Sequence, residues 1–171
     1  MKSKSFLAVM LSIVASSVMF VACNPSTLYI QDWVPIDIYV KVANAEGQNL
    51  LDTATPNNFV DKEISAEWMG ETYIADTVLL WEKQHATREY LPIMNGLMYV
   101  TKNGEQMLYF GELAGDGDYD DEPLTVHWPD GSKDVITIKN TVHLSSASRK
   151  YKLNGEVVAK DTGAPVISIV K

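Results

Sequence analysis

From Pro35 to Lys171 the apolar residues recur mainly with a period of two, in short runs separated by turn residues. That period sends alternate side chains to opposite faces of an extended chain, so it predicts strands rather than helices. The clearest run is Ile36–Ala43, where Ile36, Ile38, Val40 and Val42 share one face and Asp37, Tyr39 and Lys41 the other. A half-buried strand is expected there, ending at a turn around Glu46-Gly47.

The turn signals fix more than element boundaries. Residues 97–110 are two apolar runs flanking Asn103-Gly104, a pair suited to a two-residue type I′ turn because both central positions take positive φ. The register follows: Lys102 opposite Glu105, then Thr101 with Gln106, Val100 with Met107, Tyr99 with Leu108 and Met98 with Tyr109. Away from the tip both faces are apolar, which predicts a central pair of strands buried on two sides and a tip in water. A second Asn-Gly at 154–155 sets Leu153 opposite Glu156 and Tyr151 opposite Val158. Pro129-Asp130-Gly131-Ser132 joins 124–128 to 134–139, with Leu124, Val126 and Trp128 on one face and Ile136 and Ile138 turned to the core. Met69-Gly70 joins 63–68 to 71–75, and Val166–Val170 reads as the last strand.

Residues 76–91 are mixed, with strand formers at 78–81 and helix formers at 82–89 before Pro92, leaving room for at most one short helix. About nine to eleven closely spaced strands predict an all-β fold, an antiparallel β-sandwich. An immunoglobulin-like version is one form of it, and a barrel is the alternative.

Ahead of these strands lies a different kind of sequence. Lys2 and Lys4 precede an uncharged, mostly apolar run from Phe6 to Ala22, and the chain's single cysteine, Cys23, follows Val21-Ala22. This is the order of a signal peptide: basic, apolar, then small residues at the cut. The run is interrupted by Ser12, Ser16 and Ser17 and is shorter than the about 20 apolar residues that span a bilayer. Residues 1–22 are expected to be a lipoprotein signal peptide, 23–34 a lipidated tether and 35–171 a single β-sandwich domain. If Cys23 is acylated, the rest of the chain has no thiol for a disulfide, a nucleophile or a metal.

Charge narrows the partners. The chain carries 14 basic and 22 acidic residues; without Lys2 and Lys4 the balance is 12 against 22, a net charge of −10. An acidic surface of this kind argues against nucleic acid, which rewards a Lys/Arg patch.

Candidate chemistry is sparse. Asp116, Asp118 and Asp120 place carboxylates at every second residue, a spacing that invites Ca²⁺, although the EF-hand pattern fails because Asp121 stands where it needs Gly and His127 where it needs Glu. The alternative is a solvated acidic loop. Trp33 and Tyr119, in a tether and a loop, are the candidate ligand contacts, whereas Trp68, Trp81 and Trp128 sit beside core aliphatics. His85, His127 and His143 lie in polar surroundings, and no nucleophile elbow, zinc helix or phosphate-binding glycine loop is present. No catalytic residue is assigned and no enzyme activity is expected.

Phe20-Val21-Ala22-Cys23 resembles a bacterial lipobox, with Phe20 where many carry Leu. With the all-β turn pattern and the stretch Gly47-Gln-Asn-Leu-Leu-Asp52, the chain resembles the small uncharacterised lipoproteins of Bacteroidetes-type bacteria. The resemblance implies a cell-envelope, outer-membrane location and a sandwich-like fold, and it assigns no functional residue. The expected function is a lipid-anchored, non-catalytic binding or structural module, with envelope proteins or glycans as partners. The alternatives are a carbohydrate-binding accessory lipoprotein and a Ca²⁺-stabilised adhesion or pilus-related component.

Overall fold

The structure is a computed structural model and describes residues 35–76, 96–143 and 146–171. The described strands are β1 (Ile36–Ala43), β2 (Ser65–Trp68), β3 (Glu71–Ile74), β4 (Leu97–Lys102), β5 (Glu105–Leu113), β6 (Tyr119–His127), β7 (Lys133–Val142), β8 (Ala147–Leu153), β9 (Glu156–Lys160) and β10 (Val166–Val170). They form a four-stranded sheet in the order β10-β1-β5-β4 and a six-stranded sheet in the order β3-β2-β6-β7-β8-β9. Every pairing is antiparallel except β1 with β10, which is parallel. There is no helix among the described residues, and the fold is the expected all-β sandwich. Residues 82–89, the helix formers for which the sequence allows one short helix, lie outside them.

Alternation builds the core. Ile36, Ile38, Val40 and Val42 of β1 meet Trp68, Leu124, Val126, Ile136 and Ile138 of the other sheet in one buried cluster. Phe110 of β5 takes edge-on rings from both neighbours across the gap, Tyr73 at 5.3 Å and Trp68 at 6.2 Å between centroids. Burying aromatics edge to face adds specific geometry to the area they remove from water. The connection between β1 and β2 contributes Leu50, Leu51 and Phe59 to the same core, and Phe59 rests against Trp128 at 5.9 Å.

The β4–β5 hairpin has the register expected from its turn, from Lys102↔Glu105 to Met98↔Tyr109, with Asn103 at φ 54° and Gly104 at φ 79°. Both faces are apolar as expected, since Leu97 and Leu108 enter the shared core while Met98, Val100, Met107 and Tyr109 form a second buried cluster on the opposite face. The position in the sheet differs from expectation. Only β5 is internal, and β4 ends the sheet among the described strands.

The β8–β9 hairpin also departs in one respect. Leu153 faces Glu156, but the register shifts after Lys152↔Val157, so Tyr151 pairs with Ala159 rather than Val158. The bulge brings Ala159 opposite Tyr151, which is fully buried and donates its hydroxyl to Thr162 O at 2.7 Å. Burial pushes that phenol up to about 12. The order β6-β7-β8-β9 is a sequential meander in one sheet, which is not the ABED/CFG arrangement of an immunoglobulin domain.

Candidate interaction surface

The residues singled out from the sequence do not gather in one place. Cys23 and Trp33 lie outside the described residues, as do Trp81 and His85. Tyr119, expected as an exposed contact, is turned inward: its ring meets Trp68 edge-on at 5.6 Å and its hydroxyl donates to Ala114 O at 3.3 Å. Tyr119 is half-buried against the core, and that burial raises its pKa. Trp68 and Trp128 are buried, as expected.

The acidic carboxylates are drawn apart by their partners. Asp116 is exposed on the turn before β6, and Asp118 Oδ1 accepts from Val142 N–H at 2.8 Å. A bulge between Tyr119 and Glu122 places Asp121 at φ 58°. There Asp120 pairs with Lys139 Nζ at 2.6 Å and Asp121 with Lys152 Nζ at 2.9 Å. The hydrogen bond from Lys152 holds the Asp121 carboxyl below its ordinary range, and the one that Lys139 donates to Asp120 raises Lys139. Among the described residues no three His, Cys, Asp or Glu side chains are arranged to hold a metal ion. Asp118 and Asp120 therefore link to β7 and Asp121 to β8, not into a converging oxygen cage, because the bulge and strand pleat aim successive carboxylates at different neighbours.

The polar groups that are buried went unnoticed in the sequence. Asp134 accepts from Trp128 Nε1 at 2.7 Å, Asn154 Nδ2 at 2.7 Å and Lys171 Nζ at 2.5 Å. Burial alone would raise its pKa, but these donors outweigh burial and hold the carboxyl below its ordinary value. Asn140, almost fully buried, donates to Gly115 O at 3.2 Å and Gly117 O at 2.6 Å and accepts from Arg149 Nε at 3.1 Å. A signal did exist: Asp134 and Asn140 share parity with Ile136 and Ile138, so the alternation of β7 assigns all four inward.

The outward groups of β1 are also engaged. Tyr109 donates to Asp37 Oδ1 at 2.8 Å, Lys102 Nζ lies 3.3 Å from the centre of the Tyr39 ring, and Lys41 pairs with Glu105. Burial, then the bond to Asp37, pushes the Tyr109 phenol far above its usual value. His127 Nε2 stands 3.4 Å from Glu67 Oε1 without the alignment of a hydrogen bond, and His143 is exposed. Among the described strands, the sheet edges offer backbone groups for pairing.

The edges are unlike one another. β9 carries Glu156, Lys160 and a bulge, and β3 is four residues long and opens with Glu71. β4 ends in Lys102 and has Asp76 bridged to Met98 on its outer side. Charge, shortness, bulges and cover are the usual devices that keep a strand edge from pairing with another chain. β10, Val-Ile-Ser-Ile-Val, has no charge and no irregularity in its pairing. Val166 and Val170 on it are exposed, as are Val157 and Val158 on β9, which β10 contacts.

Fold and surface together define a two-sheet all-β domain whose exposed apolar side chains lie on its edge strands and the β2–β3 turn. No protein-family model matches the chain, and no match is found among curated proteins or among solved structures.

Proposed function

We propose that this protein is a non-catalytic binding or structural module of the bacterial cell envelope, held at the outer membrane by acyl chains on Cys23. The observation that carries the anchor is the order Lys2, Lys4, apolar run, Val21-Ala22-Cys23. Two or more acyl chains hold a protein stably where one does so only marginally, so lipid on Cys23 keeps the β-domain at the membrane. A contact role, rather than catalysis, is supported by buried polar groups that close on one another: Asp134 with Lys171, Asn154 and Trp128, and Asn140 with Arg149 and the 115–117 backbone. The edge-on packing of Tyr119 against Trp68 gives that half-buried ring a structural contact and weakens the glycan reading. Cell fractionation tests the anchor: the wild type is expected in the membrane fraction with an acylated N-terminus by intact mass, and Cys23→Ala in the soluble fraction. An unmodified Cys23, or a Cys23→Ala protein that stays with the membrane, overturns the proposal.

A further inference from the structure

We infer that β10 is a docking edge for a second copy of this chain, the two β10 strands pairing antiparallel about a two-fold axis at Ser168. The inference stands on the chemistry of the edge and is independent of the lipid anchor. Tyr39 N–H donates to Pro165 O at 2.9 Å and Lys171 N–H to Ala43 O at 2.8 Å. In the parallel register running from Tyr39↔Val166 to Ala43↔Val170, residues 165, 167, 169 and 171 therefore face β1. Val166, Ser168 and Val170 turn their N–H and C=O groups outward, and no strand lies beyond them among the described strands.

The outward sequence Val-Ser-Val reads the same in both directions. A two-fold antiparallel pairing sets Val166 opposite Val170 of the second copy and Ser168 opposite Ser168. All three positions then become hydrogen-bonded pairs, in which each residue exchanges both backbone bonds with its partner. Any extended segment satisfies the backbone, but an uncharged palindromic one also matches the side chains. The protein carries a net charge of −8, and β10 is a line along which two copies meet with no like charges opposed. Of the neighbouring cations, Lys171 is turned inward to Asp134, and Lys41, opposite Ser168 on β1, is paired with Glu105. Val157 and Val158, 49% and 43% exposed on β9, the strand of the other sheet that β10 contacts, add apolar surface at this side of the domain. A five-residue seam is small against the about 1,200 Å² of a standard interface, so the dimer is a weak, concentration-dependent one.

Site-specific cross-linking tests this in the full chain carrying Cys23→Ala, which removes the only native thiol. Ser168→Cys, treated with a short thiol-to-thiol cross-linker, is expected to form covalent dimer about tenfold faster than Ser148→Cys, an exposed control on β8. Separately prepared Val166→Cys and Val170→Cys proteins are expected to link when mixed and poorly when alone, since the register opposes them to each other. Adding Val170→Lys to Ser168→Cys places cations near the seam at a 69% exposed position and is expected to abolish the advantage while the circular-dichroism melt is unchanged. Equal rates at 168 and 148, or a rate indifferent to Val170→Lys, overturn the inference.

Discussion

Two acidic regions of this domain carry the same functional group and use it differently. In residues 116–122 the carboxylates are numerous, exposed and divided among Lys139, Lys152 and the Val142 amide. At the other end of β7 a single carboxylate, Asp134, is buried and collects donors from a turn, a hairpin and the chain's last residue. The contrast teaches that the number of carboxylates along a stretch says little about what they do. Burial and the convergence of donors decide, because a charge taken from water must be met by partners, whereas a solvated charge needs none.

The largest expected effect is therefore at the single residue. Asp134→Ala strands the Lys171 ammonium, the Trp128 indole N–H and the Asn154 amide, and it is expected to cost about 3 kcal/mol. For a domain of this size that lowers the melting midpoint by about 8 °C, read by circular dichroism. The sign with pH follows from the depressed carboxyl: its stabilisation is complete above the ordinary carboxylate value of 3.8 and is lost as pH falls through the lower folded value. Asp134→Asn should accordingly flatten the acid limb of stability against pH below about pH 4. Asp121 has a carboxyl shifted in the same direction but fully exposed, and Asp121→Asn should leave that limb nearly unchanged. Equal acid sensitivity in the two variants would break the comparison.

Asn140 sharpens it from the side of neutral groups. Asn140→Ala removes the donors to Gly115 and Gly117 and the acceptor for Arg149, leaving the partly buried Gly117 carbonyl without that donor and Gly115 O with the longer bond from Arg149 Nη2 at 3.5 Å. The expected loss is about 1–2 kcal/mol. Because the same contacts seat the turn that leads into β6, hydrogen exchange at residues 114–118 should accelerate more than in the hairpin of β4 and β5. Uniform acceleration across both would show that Asn140 supports the domain generally instead of holding that turn.

Much of this was legible in the sequence because turns act locally. Asn103-Gly104 dictated both the φ values and the register of its hairpin, and alternation named the inward side chains of β1 and β6. What escaped was set by distant partners. The β8–β9 register slips at a bulge that no turn residue marks, and Tyr119 is half-buried because Trp68 stands on the neighbouring strand. β10 reads as an ordinary terminal strand until its parallel pairing with β1 shows that Val166, Ser168 and Val170 have no strand on their other side among the described strands. Asp134 was overlooked for a plainer reason: an aspartate after a Gly-Ser turn looks like turn chemistry, and only its parity with Ile136 marks it as inward.

The smallest expected effect tests the acidic stretch itself. If residues 116–122 held Ca²⁺ in the native state alone, a concentration one hundred times the dissociation constant would stabilise the fold by about 2.7 kcal/mol. The geometry leads to the opposite expectation, since Asp118, Asp120 and Asp121 are each committed to a separate donor. Millimolar Ca²⁺ and EDTA should give superimposable thermal melts, and Lys139→Ala, which frees Asp120, should not create a response. A Ca²⁺-dependent rise in the wild type would mean that the carboxylates leave their lysines to converge on the ion. The binding energy would then have to exceed those ion pairs, and the line drawn between the two acidic regions would be a matter of occupancy instead of burial.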